Sequence, residues 1–298
     1  MTRHAWLAIS VAMGTLVTGI VAGAASAVAE QIPFTDGYVG PITIKFSSFE
    51  SFTGTSPLAP GDQNFGVFDI TSIQAAASHG SISAGETIFS PGGTYGQLVG
   101  IFNAVTISSI TPVTGGDNIQ NTGGVFELFN VPAFPNFSQG TSGYTTGGCT
   151  AVNTLCYNTL TNQPGFTTPI LTLDLIPGAD TTDPAATLFV NSNGTTIPLT
   201  GTATGWLDIT GGSDASQFGR GGFTTAIGTP ADLSLEDDFC ANQAGCAGFT
   251  APVGNWEQLD NDPVGANVVP EPASLALLGA ALMGMSLLGW RRNKRPGQ

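Results

Sequence analysis

The residues of this 298-residue chain that could act chemically are few in kind: two histidines, four cysteines and 21 carboxylates, against only seven lysines and arginines. His79 stands in Ala77-Ser78-His79-Gly80. No Gly-x-Ser-x-Gly elbow and no His-Glu-x-x-His helix accompanies it, so neither a serine nucleophile nor a zinc protease site is marked, and it reads as a loop residue. Two carboxylates in a cleft suffice for glycoside hydrolysis, but nothing in the sequence selects a pair. The clearest concentration of ligands is Glu236-Asp237-Asp238, beside Cys240, with Asp260 and Asp262 downstream. Such hard oxygen donors suit calcium, although neither segment has the spacing of an EF-hand loop. The competing reading is an acidic solvated surface. No other cofactor is indicated, and the chain is expected not to be an enzyme.

The two ends decide where these residues work. Arg3 precedes an apolar region from Ala5 to about Ala25, and Ala27-Val28-Ala29 before Glu30 has the small-x-small form of a signal-peptide cleavage site, with Ala27 and Ala29 as the small residues. This implies delivery to the Sec translocon. At the other end Val269-Pro270-Glu271-Pro272 precedes a charge-free stretch, Ala273 to Trp290, and then Arg291-Arg292-Asn293-Lys294-Arg295. Eighteen residues at roughly 1.5 Å each make about 27 Å of helix, enough to cross an inner membrane, and the basic cluster is a cytoplasmic stop. Both ends therefore place the intervening residues outside the cytoplasm.

A Pro-Glu-Pro signature, a single span and a terminal Arg-rich cluster, in that order, closely resemble the PEP-CTERM sorting signal of Gram-negative bacteria. The resemblance implies that Val269, Pro270, Glu271 and Pro272 form the recognition element and that Arg291 and Arg292 belong to the retained tail. It implies that a membrane protease, an exosortase, cuts there. The chain would use the membrane transiently through its C-terminal helix, then pass from an inner-membrane intermediate to the cell surface or extracellular matrix. The segments Asn64 to Ile73, Gly96 to Phe102, Gly124 to Phe129 and Gly205 to Ile209 also resemble phrases of other PEP-CTERM ectodomains, which are all-β surface proteins.

Setting the terminal signals aside leaves Lys45 and Arg220 against 20 of the acids, a net charge of −18 for residues 30 to 270. Nucleic acid is excluded as a natural partner, because a phosphate backbone needs Lys and Arg to displace its counterions. Neutral sugars, divalent cations and basic proteins remain compatible; the sorting resemblance implies association with an extracellular polysaccharide in biofilm or floc. An even number of cysteines in an exported chain reads as disulfides, the simplest pairing being Cys149 with Cys156 and Cys240 with Cys246.

The exported region has short apolar runs separated by turn residues and no long helix-period segment. Strands are expected at Ile42–Phe49, Phe65–Ile73, Gln97–Ile107, Val125–Asn130, Ile170–Ile176, Thr187–Asn191, Thr202–Ile209 and Asp232–Leu235. In Leu171-Thr172-Leu173-Asp174-Leu175 every second side chain is apolar, which buries one face and wets the other. The expected fold is all-β, a single antiparallel β-sandwich, jelly-roll-like, with long loops at Asn130 to Pro169 and Gly211 to Thr229. Phe134, Phe137, Tyr144 and Tyr157 in the first loop either stack on sugar rings or pin the loop to the sandwich. The expected divisions are a signal peptide at 1–29, the sandwich at 30–262, a linker at 263–269 and the sorting signal with its helix at 270–298.

Overall fold

Alternation of apolar and polar side chains dictates strands, and strands dominate. The computed structural model describes residues 31–54, 57–92, 95–131, 168–194, 200–241, 258–260 and 263–270. The chain divides into Met1–Glu30 and Gln31–Gln298, and every described residue belongs to the second unit. Its strands are β1 (Gly40–Phe52), β2 (Gln63–Ala75), β3 (Thr87–Phe89), β4 (Gln97–Val113), β5 (Gly116–Thr122), β6 (Val125–Val131) and β7 (Leu171–Leu175), followed by β8 (Leu188–Ser192), β9 (Thr200–Gly211), β10 (Phe223–Thr224), β11 (Pro230–Ala231), β12 (Leu233–Ala241), β13 (Gln258–Asp260) and β14 (Pro263–Val268). All eight expected strands are present, most of them longer than read.

The sandwich expectation needs revision. Among the described residues twelve strands form one antiparallel sheet, apart from the small β10–β11 hairpin, and that sheet closes on itself. The circuit runs β14–β1–β2–β4, continues to β9 by two routes, β5–β8 and β6–β7, and returns through β12 to β14. The two routes exist because β4 and β9 are long enough to hold two partners along one edge. Gln97 to Asn103 of β4 pair with β6, and Thr106 to Val113 pair with β5. On β9, Gly201 to Gly205 pair with β8, and Leu207 to Gly211 with β7. Ala104, in the left-handed region at φ 60°, marks the change of partner on β4. Closure removes the exposed edges that two separate sheets would present.

Residues 263–269, read as a linker, are the second correction. β14 lies between β1 and β12, pairing Gly40 with Val268 and Leu235 with Val264. β13 continues the same slot, with Asp260 opposite both Ser48 and Phe239. The signal for a strand was present, since Val264, Ala266 and Val268 alternate with Pro263, Gly265 and Asn267. Pro263 occupies the first strand position, where a missing N–H is tolerated. Thr114 and Gly115 make the tight turn between β4 and β5, with Val113 paired to Gly116.

Eight strands around a circuit leave an interior just wide enough for side chains to fill. One end is packed by Ile44, Ile70, Leu128, Leu173, Leu207 and Leu233. Midway, strand glycines make room for rings. Gly66 is paired with Phe102 and Gly100 with Phe68, and the Phe102 ring stacks on Phe126 with centroids 5.1 Å apart. A Cβ built on Gly100 would lie 1.9 Å from Cζ of Phe68, and one on Gly66 would lie 2.4 Å from the Phe49 carbonyl oxygen. Gly100→Ala is therefore expected to lower stability by about 1–3 kcal/mol through overpacking. A fall in the urea midpoint at unchanged slope would show it, and an unchanged midpoint would mean that Phe68 finds another rotamer at no cost.

Candidate functional site

Among the described residues, polar groups gather at two ends of the barrel, among other places. The first is the end of the barrel interior reached by the second half of β1. Ser48, Glu50 and Phe52 point inward there, with Asn64, Asn121, Asp237 and Phe239 from neighbouring strands, around a cavity of about 60 Å³. Glu50 is 7 % exposed; one carboxylate oxygen accepts from Ser48 Oγ at 3.1 Å and the other from Asn64 Nδ2 at 2.6 Å. The Asn64 Oδ1 atom is buried with no hydrogen-bond partner among the described residues. A water needs roughly 10–15 Å³ on this measure, so the cavity suits a few waters and not a sugar ring.

Strand geometry decides the expected calcium ligands. Side chains alternate along β12, so Glu236 and Asp238 are exposed on the outer face while Asp237 turns inward with Leu235 and Phe239 to line the cavity. All three also border an open surface pocket of about 270 Å³, with Thr202, Thr204 and Pro263. The side chain of Asp260 and all of Asp262 lie outside the described residues. Among the described residues no group of three or more His, Cys, Asp or Glu side chains is arranged to hold a metal ion.

The second place lies at the opposite end, where both ends of the barrel chain meet on one 3-10 turn, Ala215–Gln217. Asp214 and Gln217 are buried. The Ile32 N–H donates to Asp214 Oδ2 at 3.1 Å and to Gln217 Oε1 at 3.2 Å, and Gln217 Nε2 donates back to the Ile32 carbonyl at 3.1 Å. Tyr95 Oη and Ser213 Oγ also donate to Asp214. Burial raises the pKa of Asp214, and these hydrogen bonds offset only part of the effect. On its other side the same turn holds the C-terminal strand. Val269 N–H donates to the Gln217 carbonyl at 2.8 Å, Gly219 N–H donates to Asn267 O at 2.7 Å, and Phe218 bridges to Val268. Val269 and Pro270, the first residues of the expected recognition element, therefore leave directly from the barrel wall. They border a groove of about 400 Å³ whose other side is the segment Gln31 to Val39.

Residues 268–294 match the family model of the PEP-CTERM protein-sorting motif. The chain carries a PEP-CTERM sorting signal. Such a signal implies export and exosortase processing at the membrane, and its first residue, Val268, is also the last of β14. The chain matches no curated protein and no solved structure. Nothing beyond the sorting signal is therefore carried over from a relative.

The remaining expected residues fall variously. Ala27, Ala29, Glu271, Pro272, Arg291 and Arg292 lie outside the described residues, as do Cys149, Cys156, Cys246 and the aromatic residues of the first long loop. Among the described residues no helix is long and apolar enough to cross a membrane, and the expected span at 273–290 lies beyond them. Cys240 is buried at the end of β12 and disulfide-bonded, to a partner outside the described residues. His79 sits in a tight turn, its N–H donating to Ile82 O, with its ring edge-on to Tyr38. Sequence reading missed Asp214 and Gln217 altogether, because their partners lie 182 and 185 residues away.

Proposed function

We propose that the mature domain is a non-catalytic surface or matrix protein which an exosortase releases and which associates with extracellular polysaccharide in biofilm or floc. The observation that carries this reading is the sorting motif joined without a spacer to a closed barrel. Export of a folded, stable domain to the cell surface is what such an arrangement serves. The acidic, nearly lysine-free composition favours neutral sugars over anionic polymers as direct partners. The cavity beside Glu50, about 60 Å³ and suited to a few waters rather than a sugar ring, favours a non-catalytic role. In this reading Cys240 joins Cys246, and Cys149 joins Cys156, as local braces of the exported domain.

The test uses the mature protein recovered from its host, co-sedimented with the host's purified extracellular polysaccharide. The expected result is saturable retention with no new reducing ends, and an unprocessed, cell-bound chain in a host lacking the exosortase. New reducing ends would instead favour a polysaccharide-active enzyme. Retention lost on chelation would assign the binding to calcium, and no retention would leave the polysaccharide role without support.

A further inference from the structure

The groove between the N-terminal segment and the start of the sorting motif bears on how an enzyme can approach that motif. Val269 is pinned by Gln217, and Pro270 already lines the groove. An extended chain advances at most about 3.6 Å per residue, so Glu271 and Pro272 lie within about 7 Å of Pro270. An enzyme that grips Pro270-Glu271-Pro272 must therefore meet the barrel rim as well. That rim offers Pro33, Phe34 and Val39 on one side and Gln217 and Val269 on the other, with Pro33 exposed and Phe34 and Val39 half-buried. No charged side chain lines the groove among the described residues, so its surface is apolar with backbone and amide hydrogen-bonding groups. The N-terminal wall is held in place by the Ile32 bonds to Asp214 and Gln217 and by the Phe34 ring, edge-on to Phe218 with centroids 6.5 Å apart.

We infer that this groove is a docking surface for the exosortase, which reads the folded barrel rim together with the Pro-Glu-Pro element. The inference rests on the exosortase reading above. The occupant is argued from continuity: the motif that the enzyme recognises begins inside the wall of the groove. The barrel is thereby a determinant of sorting, and the rim holding Gln217 faces the membrane while the Glu50 end faces outward. Two contacts on one rigid body act together only while geometry lets both engage, and their joint benefit is lost when a spacer forbids it.

The experiment follows processing of the full-length chain by pulse-chase in a host that has the exosortase and in one that lacks it. One variant carries Pro33→Glu with Val39→Glu. A second leaves the barrel sequence untouched and inserts, between Val269 and Pro270, a stiff proline-rich spacer of about twelve residues, about 37 Å long, that ends in a second Val-Val, so that the sorting motif keeps its own first two residues. Both are expected to be processed at least about fivefold more slowly than the wild-type chain, while keeping its resistance to added protease. Processing of the spacer variant at the wild-type rate would overturn the docking inference and leave the sorting reading intact. A wild-type chain processed equally with and without the exosortase would overturn the reading on which it rests.

Discussion

Asp69→Asn is expected to raise the stability of the barrel by about 2–4 kcal/mol at pH 8 and to change it little at pH 4. Asp69 lies on β2 and points away from the barrel interior, since its neighbours Phe68 and Ile70 point in. That outer face is nonetheless buried: Val67 and Val99 are fully enclosed, Ile101, Phe129 and Val131 nearly so, and Asp69 itself is 8 % exposed. Among the described residues its Oδ1 atom has no hydrogen-bond donor. Loss of hydration without a compensating donor disfavours the carboxylate, and burial pushes the pKa up from 3.8 to about 7.

The sign follows from proton counting. Between about pH 4 and pH 7 the folded state keeps a proton that the unfolded state has released, so stability falls as pH rises through that window and is lowest above it. Each pKa unit is worth about 1.4 kcal/mol, which bounds the effect near 4 kcal/mol. Asparagine is neutral throughout and removes this part of the slope. Urea unfolding of both proteins at pH 4, 6 and 8 measures it. Asp214 is raised in the same direction but is common to both chains, so the difference isolates Asp69. Parallel pH profiles would mean that water or another donor solvates the carboxylate.

The elements legible in the sequence were those whose apolar residues alternate in uninterrupted runs. Phe68-Asp69-Ile70 and Leu171-Thr172-Leu173 announce strands because each buries one face locally. β5 did not, since Ile119 is its one apolar side chain among Asp117, Asn118, Gln120, Asn121 and Thr122, and it is held by pairing to β4 and β8. Closure of the sheet was not legible either. It rests on pairs such as Ser234 with Trp206 and Ile42 with Ala266, the second spanning most of the domain, and short-range periodicity carries no information about them. The sorting motif could be read because all its parts are contiguous. The Asp214–Gln217 turn could not, because its meaning lies in the two distant chain ends it joins. Glu236-Asp237-Asp238 shows the converse: neighbours in sequence alternate along a strand, so Glu236 and Asp238 share the outer face while Asp237 lines the interior cavity.

Asp232→Ala is expected to cost about 3 kcal/mol, and Arg220→Ala only about 1 kcal/mol. The two form an ion pair at 2.8 Å, with the Arg220 side chain 52 % exposed and that of Asp232 8 % exposed. The carboxylate does more than pair. It accepts from Ile209 N–H at 2.9 Å and from Gly221 N–H at 2.7 Å, while Arg220 also donates to the Ile209 carbonyl. Deleting the carboxylate strands two amide donors, each costing about 1–3 kcal/mol where buried, and leaves the guanidinium without its partner. Deleting the guanidinium removes a solvent-screened charge and leaves both amide bonds intact. Burial works against ionisation of Asp232, but the two amides and Arg220 outweigh it and hold its pKa below the ordinary value. The stability contributed by ionised Asp232 is therefore present above the unfolded pKa of about 4, and is lost as pH falls through the lower folded value. Denaturant midpoints at pH 7 and at about pH 3 test both statements, since the gap between wild type and Asp232→Ala should narrow in acid. Equal costs for the two substitutions would assign the stability to the ion pair. The expected inequality assigns it to the amides that fix Gly221 and, through the loop it closes, the turn on which Gln217 holds both ends of the barrel.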